Sequence, residues 1–117
     1  MLATCEAVVL GDQAGLDRET LVDVFNASSG NNSATRRKIP DHVLTGRYEN
    51  GFALGLVEKD IRLFTEFGAS EGVPLLLGDL VRNLVGYAVA TEGRDADETR
   101  IYDFFETMMT ERGRRNP

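Results

Sequence analysis

Apolar residues recur at steps of three and four through almost the whole chain, and no segment alternates apolar with polar residues over a strand's length. A period near 3.6 gathers apolar side chains on one face of a helix, whereas a half-buried strand needs a period of two. The expectation is therefore an all-α, multi-helix bundle of five or six helices. Val8-Val9-Leu10-Gly11 is the one strand-like run, and its helical neighbours outweigh it. A chain of 117 residues is expected to form one domain, over residues 1–112 with a frayed tail at 113–117. At this size roughly two-thirds of the unfolded surface can be buried.

Five helices account for the pattern. Residues 2–14 place Leu2, Cys5, Val8 and Val9 on one stripe, and Gly15-Leu16 ends that helix. Asp17 is a fitting N-cap for a second helix over about 18–28, since its carboxylate can accept a first-turn N–H. Ser28-Ser29-Gly30-Asn31-Asn32 then reads as a loop, because these residues favour turns over helix propagation. Pro40 and Gly46 restrict 33–50 to a short helix at 33–38 or 40–45. A third helix is expected over Phe52–Gly68. A fourth follows Val73, with Pro74 in its first turn. The fourth is apolar around much of its girth, which predicts a central position packed on several sides. A fifth, over 96–111, presents Ile101, Phe104, Phe105 and Met108 after a joint at Gly93-Arg94-Asp95.

Charge and composition remove several functions. The net charge of −6 and a pI near 4.7 oppose nucleic-acid or anionic-membrane partners. Arg36-Arg37-Lys38 and Arg112-Gly113-Arg114-Arg115 read as solvated surface. The opening MLATCEAVVL has no basic leader and is too short to span a membrane, so a cytoplasmic location is expected. Cys5 is the sole cysteine; among small and apolar neighbours it reads as a buried thiol in a reducing compartment. With one histidine, His42, set in a Pro-Asp-His turn and expected to be exposed, metal sites and nucleophilic triads are poorly supplied. No G-x-G-x-x-G turn follows a strand, so a dinucleotide-binding βαβ unit is missing from these residues.

The most informative segment is GFALGLVEKDIRLF, residues 51–64. Leu54, Val57 and Ile61 form a core stripe, while Phe52, Leu56, Lys59 and Leu63 form a second stripe at steps of four, three and four. Seven residues at roughly 100° each bring Lys59 to within about 20° of Phe52. Read from the residues alone, Lys59 is a side chain whose stem covers apolar surface while its ammonium stays in water.

In order, EAVVLGDQAGLD, VFNASSGNNSAT, FALGLVEKDIRL and GVPLLLGDLV cover residues 1 to about 105. Together they resemble the C-terminal domain of the β-hydroxyacid dehydrogenase family, which includes 3-hydroxyisobutyrate dehydrogenase and tartronate semialdehyde reductase. The F-x-L-x-L-x-x-K-D block, Phe52 to Asp60, is the most specific of the four. The resemblance implies the helical C-terminal fold shared with 6-phosphogluconate dehydrogenase-like enzymes. It also implies that Lys59 contacts bound NAD or NADP near the nicotinamide. Phe52 would wall the substrate pocket, and Asp60 would hold helix and pocket together. The Ser28-Ser29-Gly30 loop would lie near a hydroxy acid's carboxylate.

The chain departs from the family's pattern in two respects. The family's nucleotide-binding domain is not among these residues, nor is its acid–base lysine in a G-x-x-x-K-x-x-N-N helix. The expectation is thus a substrate-binding and dimerisation domain of an NAD(P)-dependent oxidoreductase, with no catalytic residue of its own and no turnover alone. The competing expectation is a stand-alone, non-catalytic module in which the fourth and fifth helices bury against a second copy, giving a homodimer.

Overall fold

The computed structural model describes residues 1–114, and side chains through Thr110. The expected frayed tail at 113–117 and the basic cluster from Arg112 to Arg115 therefore lie largely outside the described residues. Five α-helices run Leu2–Gln13 (α1), Arg18–Asn26 (α2), Leu54–Ser70 (α3), Leu76–Glu92 (α4) and Ile101–Arg114 (α5). A π-helix spans Ala34–Val43 and a 3₁₀ turn spans Glu98–Arg100. Among the described residues there is no strand, only an isolated antiparallel bridge between Ala53 and Asp97. The fold is all-α. No described helix is long and apolar enough to cross a membrane.

The chain divides into two compact units, residues 1–50 with 99 onward, and residues 51–98. In the first unit α1 packs on α5 and on α2, and α2 packs on the π-helix. Cys5, Val8 and Val9 of α1, Val22 of α2, Ile39 and Val43 of the π-helix, and Ile101, Tyr102, Phe104 and Phe105 of α5 are buried. Asp17 caps α2 as expected, its carboxylate accepting the Thr20 N–H at 2.8 Å. α2 ends at Asn26, two residues short of expectation, as the Ser28 hydroxyl donates back to the carbonyls of Val24 and Phe25. Cys5 is fully buried, and burial pushes its thiol up to about 12.

The region 33–50 corrects the sequence reading. Pro40 was expected to limit this region to a short helix at 33–38 or 40–45, yet one π-helix runs through it from Ala34 to Val43. His42 sits on that helix, half-buried, with Nδ1 buried and unpartnered, and is not an exposed loop residue. Tyr48 follows with φ of 52°, in the left-handed region that non-glycine residues avoid. Its hydroxyl donates to Asp103 at 2.5 Å and its ring lies 3.9 Å beneath the Arg100 guanidinium. Arg100 in turn donates to Asp103 at 2.6 Å. These contacts offset a backbone strain of about 1–3 kcal/mol.

The second unit is a hairpin in which α3 packs on α4. Here α4 corrects the expectation of a central helix. Only Val85 and Ala88 of α4 are buried, while Leu76 and Leu77 are 83% and 77% exposed. Pro74 stands before the helix, outside its first turn. The residues before α5 are likewise not α-helical from 96: the Ala96 carbonyl accepts from Leu54, Asp97 bridges Ala53, and 98–100 form the 3₁₀ turn. The aromatic side chains of α5, expected to meet a second copy, are instead core of the first unit; among the described large apolar side chains of that helix, Met108 and Met109 are the exposed ones.

Candidate functional site

The segment containing Phe52, Lys59 and Asp60 belongs to the second unit. α3 begins at Leu54, with Ala53 extended before it and no side-chain cap. Its first free N–H groups are instead taken by backbone carbonyls: Leu54 donates to Ala96 at 2.7 Å, and Gly55 to Arg94 at 2.8 Å. Glu98 donates to the Phe52 carbonyl at 2.8 Å, and Gly51 to the Asp97 carboxylate at 2.9 Å. This close approach requires glycine at 55, since a Cβ there would stand 3.0 Å from the Arg94 carbonyl oxygen. Arg94 closes the arrangement through Glu58, at 3.0 Å, and the Gly55 carbonyl, at 3.2 Å.

Phe52 therefore precedes the helix, and the angular argument that aligned it with Lys59 does not hold. Helical rotation places a side chain only where the backbone is helical, and 51–53 lies before the helix, hydrogen-bonded to 96–98. Within α3 the second stripe is real. Leu56, Lys59 and Leu63 are all exposed, and Phe52 is 37% exposed at its head. The Lys59 ammonium lies 3.8 Å from the Asp60 carboxylate, with the lysine side chain 47% exposed. An exposed pair of this kind contributes well under 1 kcal/mol, leaving Lys59 free to exchange partners.

Ser28, Ser29 and Gly30 belong to the first unit. The Ser28 hydroxyl is committed to the end of α2, and the Gly30 carbonyl accepts from Asn32 Nδ2 at 3.0 Å. Asn31 braces the loop, its backbone and side-chain N–H groups both donating to the Ser28 carbonyl, while Arg36 donates to its side-chain oxygen at 2.6 Å. Among the described residues no group of histidine, cysteine, aspartate and glutamate is arranged to hold a metal. Sequence reasoning missed Asn26, Thr35 and Arg94, whose roles depend on distant backbone carbonyls or carboxylates and leave no periodic trace.

An all-α chain with an exposed lysine on a helix of one unit and a braced Ser-Ser-Gly loop in the other defines no complete active site by itself. Comparison with known proteins supplies the class. Residues 1–105 match the family described as the NAD-binding domain of NADP-dependent 3-hydroxyisobutyrate dehydrogenase, and the chain belongs to that family. Among individual relatives it is similar to human mitochondrial 3-hydroxyisobutyrate dehydrogenase, at 32% identity over 94% of this chain and 34% of that protein. It is also similar to 2-(hydroxymethyl)glutarate dehydrogenase of Eubacterium barkeri, at 37% identity over 64% of this chain and 25% of that protein. A solved structure of Mycobacterium tuberculosis 3-hydroxyisobutyrate dehydrogenase with L-serine superposes with a TM-score of 0.79 at 25% identity, covering 87% of this chain and 37% of that one. The chain thus spans about a third or less of the curated relatives' length.

Proposed function

We propose that this chain is the C-terminal, substrate-binding and dimerisation domain of an NAD(P)-dependent 3-hydroxyisobutyrate dehydrogenase-like oxidoreductase. The observation that carries this reading is the family match over residues 1–105, combined with Lys59 on the exposed stripe of α3. Bound NAD or NADP supplies hydride chemistry in such an enzyme. One exposed cation flanked by Leu56 and Leu63 fits a contact to the nicotinamide end of that cofactor, and cannot hold a dinucleotide unaided. Lys59 then orients the cofactor, Asp60 helps hold helix and pocket together, and Phe52 walls the pocket. Ser29 and Gly30 offer hydrogen-bond donors to the hydroxy acid's carboxylate. The dinucleotide fold and the acid–base lysine must come from residues other than these 117, because no such motifs occur among them.

Calorimetric titration with NADPH and 3-hydroxyisobutyrate tests the reading. Weak binding by the chain that Lys59→Ala reduces about tenfold supports it, a contact worth roughly 1.4 kcal/mol. Equal affinity in both proteins assigns Lys59 no cofactor role. Turnover should be negligible for the purified chain; NADP-dependent oxidation of 3-hydroxyisobutyrate at enzymatic rates would overturn the division of labour.

A second reading, a non-catalytic homodimerisation module, is favoured by the bare apolar surface of the second unit: Phe64, Phe67, Val73, Leu76, Leu77 and Leu80 are all exposed. Sedimentation equilibrium separates the two. A stable dimer that binds neither NADPH nor 3-hydroxyisobutyrate favours the module. The reducing compartment expected from Cys5 suits either reading.

A further inference from the structure

Proline has no N–H, so a helix running through it leaves one carbonyl without its donor. In an i→i+5 register the carbonyl facing Pro40 is that of Thr35, and Thr35 is fully buried. The Thr35 carbonyl nevertheless has a donor, the side-chain Nδ2 of Asn26, at 2.8 Å. Asn26 is the last residue of α2, immediately before the Ala27–Asn31 loop. Its Oδ1 is buried with no hydrogen-bond partner, so the contact is made through the donor end at the expense of the acceptor.

The far end of the loop is tied to the same residue. The Asn32 N–H donates to Thr35 Oγ1 at 2.9 Å, and that hydroxyl donates to the Asn32 carbonyl at 3.0 Å. Asn32 Oδ1 accepts from the Ala34 N–H at 2.8 Å and the Thr35 N–H at 3.3 Å. Thr35 therefore receives one end of the loop on its carbonyl and the other on its hydroxyl and amide.

We propose that Asn26 replaces the missing amide hydrogen of Pro40, and that Asn26, Asn32 and Thr35 form a clamp that sets the shape of the Ser28-Ser29-Gly30 loop. They are positioning residues, acting through the loop. The π register and the loop are one device: the proline opens a vacancy at a buried carbonyl, and the residue that fills it is the residue that starts the loop. The clamp stands on the contacts above; only its relevance to a hydroxy acid rests on the function proposed in the preceding section.

A double-mutant cycle tests the substitution of one donor for another. Asn26→Ala should raise the unfolding equilibrium constant about tenfold, the usual consequence of stranding a buried carbonyl. In a Pro40→Ala background residue 40 regains its N–H, and the same Asn26→Ala change should cost about twofold or less. Asn26→Asp, which keeps the shape and loses the donor, should behave like Asn26→Ala. If Asn26→Ala alone fails to fold, the double variant should fold. Equal costs in both backgrounds, or failure of the double variant beside a folded Pro40→Ala protein, would overturn the proposal.

Hydrogen exchange supplies a readout that general destabilisation does not move. In Asn26→Ala the amides of Asn31, Asn32 and Arg36 should exchange about tenfold faster under conditions where those of Val8 and Val9 are unchanged. Uniform acceleration of all five refutes a local clamp. Titration of the folded chain with 3-hydroxyisobutyrate, followed at the Ser29 and Gly30 amides, addresses the loop's role separately. Loosening of Asn31, Asn32 and Arg36 without any response of Ser29 and Gly30 supports the clamp and counts against a substrate role for the loop.

Discussion

The first unit, residues 1–50 with 99 onward, buries or half-buries most of its large apolar side chains, leaving Leu10, Leu16, Val24, Met108 and Met109 exposed; the second, residues 51–98, leaves most of its own exposed. Their sequences do not announce this difference. α4 is more apolar than α5, yet Tyr102, Phe104 and Phe105 of α5 are buried while Leu76, Leu77, Leu80 and Tyr87 of α4 are not. The physical reason is the number of neighbours. α1 has two helical partners inside its unit, and a π-helix extends the packing of α2. A two-helix hairpin can bury one stripe of each helix and no more. Apolar content records what a helix could bury, and only the arrangement of partners decides what it does bury.

The largest effect that sharpens this contrast should come from Phe105→Ala. Phe105 is buried and packs edge-on against Phe104 with ring centroids 5.4 Å apart, so truncation should cost about 3–5 kcal/mol in urea unfolding. A cost under about 1 kcal/mol would mean that the first unit's core is not what holds it. Gly55→Ala should cost about 1–3 kcal/mol, because the new methyl meets the Arg94 carbonyl and displaces the backbone pairing that starts α3. Its damage should be confined, in hydrogen exchange, to amides of 51–98.

Alkaline pH should act on the first unit. Burial raises the Cys5 thiol to about 12 and raises the Tyr48 and Tyr102 hydroxyls, Tyr48 also through its bond to Asp103. Each group holds its proton more tightly folded than unfolded. Their stabilising contribution is therefore complete below the unfolded values, near 9.0 for the thiol and 10.0 for the phenols, and is lost as pH rises beyond them. Unfolding midpoints should be level from pH 7 to 8.5 and fall steadily above pH 9.5, less steeply in Tyr48→Phe. The smallest effect belongs to Leu77→Ala. At 77% exposed, Leu77 should change stability by no more than about 0.5 kcal/mol, and a cost above about 2 would show that its surface is covered in solution.

Much of the fold was legible because helical period and capping chemistry are local. Asp17 capping α2, the Gly15 and Ser28–Asn32 breaks, and the buried stripe of Cys5, Val8 and Val9 all follow from neighbouring residues. The candidate site was legible in part: Lys59 stands on an exposed apolar stripe, as its spacing implied. Phe52 does not share the helix, because its segment is hydrogen-bonded to 96–98, more than forty residues away. The π-helix escaped for the same reason. Pro40 forbids a regular helix locally, and only the Asn26 side chain, arriving from α2, makes one tolerable.

By itself, then, the sequence determined the five α-helices, the Asp17 cap of α2 and the family to which the chain belongs, since these rest on residues within a few turns of one another. Tertiary structure alone decided which apolar faces were covered, where α3 begins and how the Ser28–Gly30 loop is held. Those outcomes depend on carbonyls, donors and partner helices brought in from distant positions, and no local pattern encodes them.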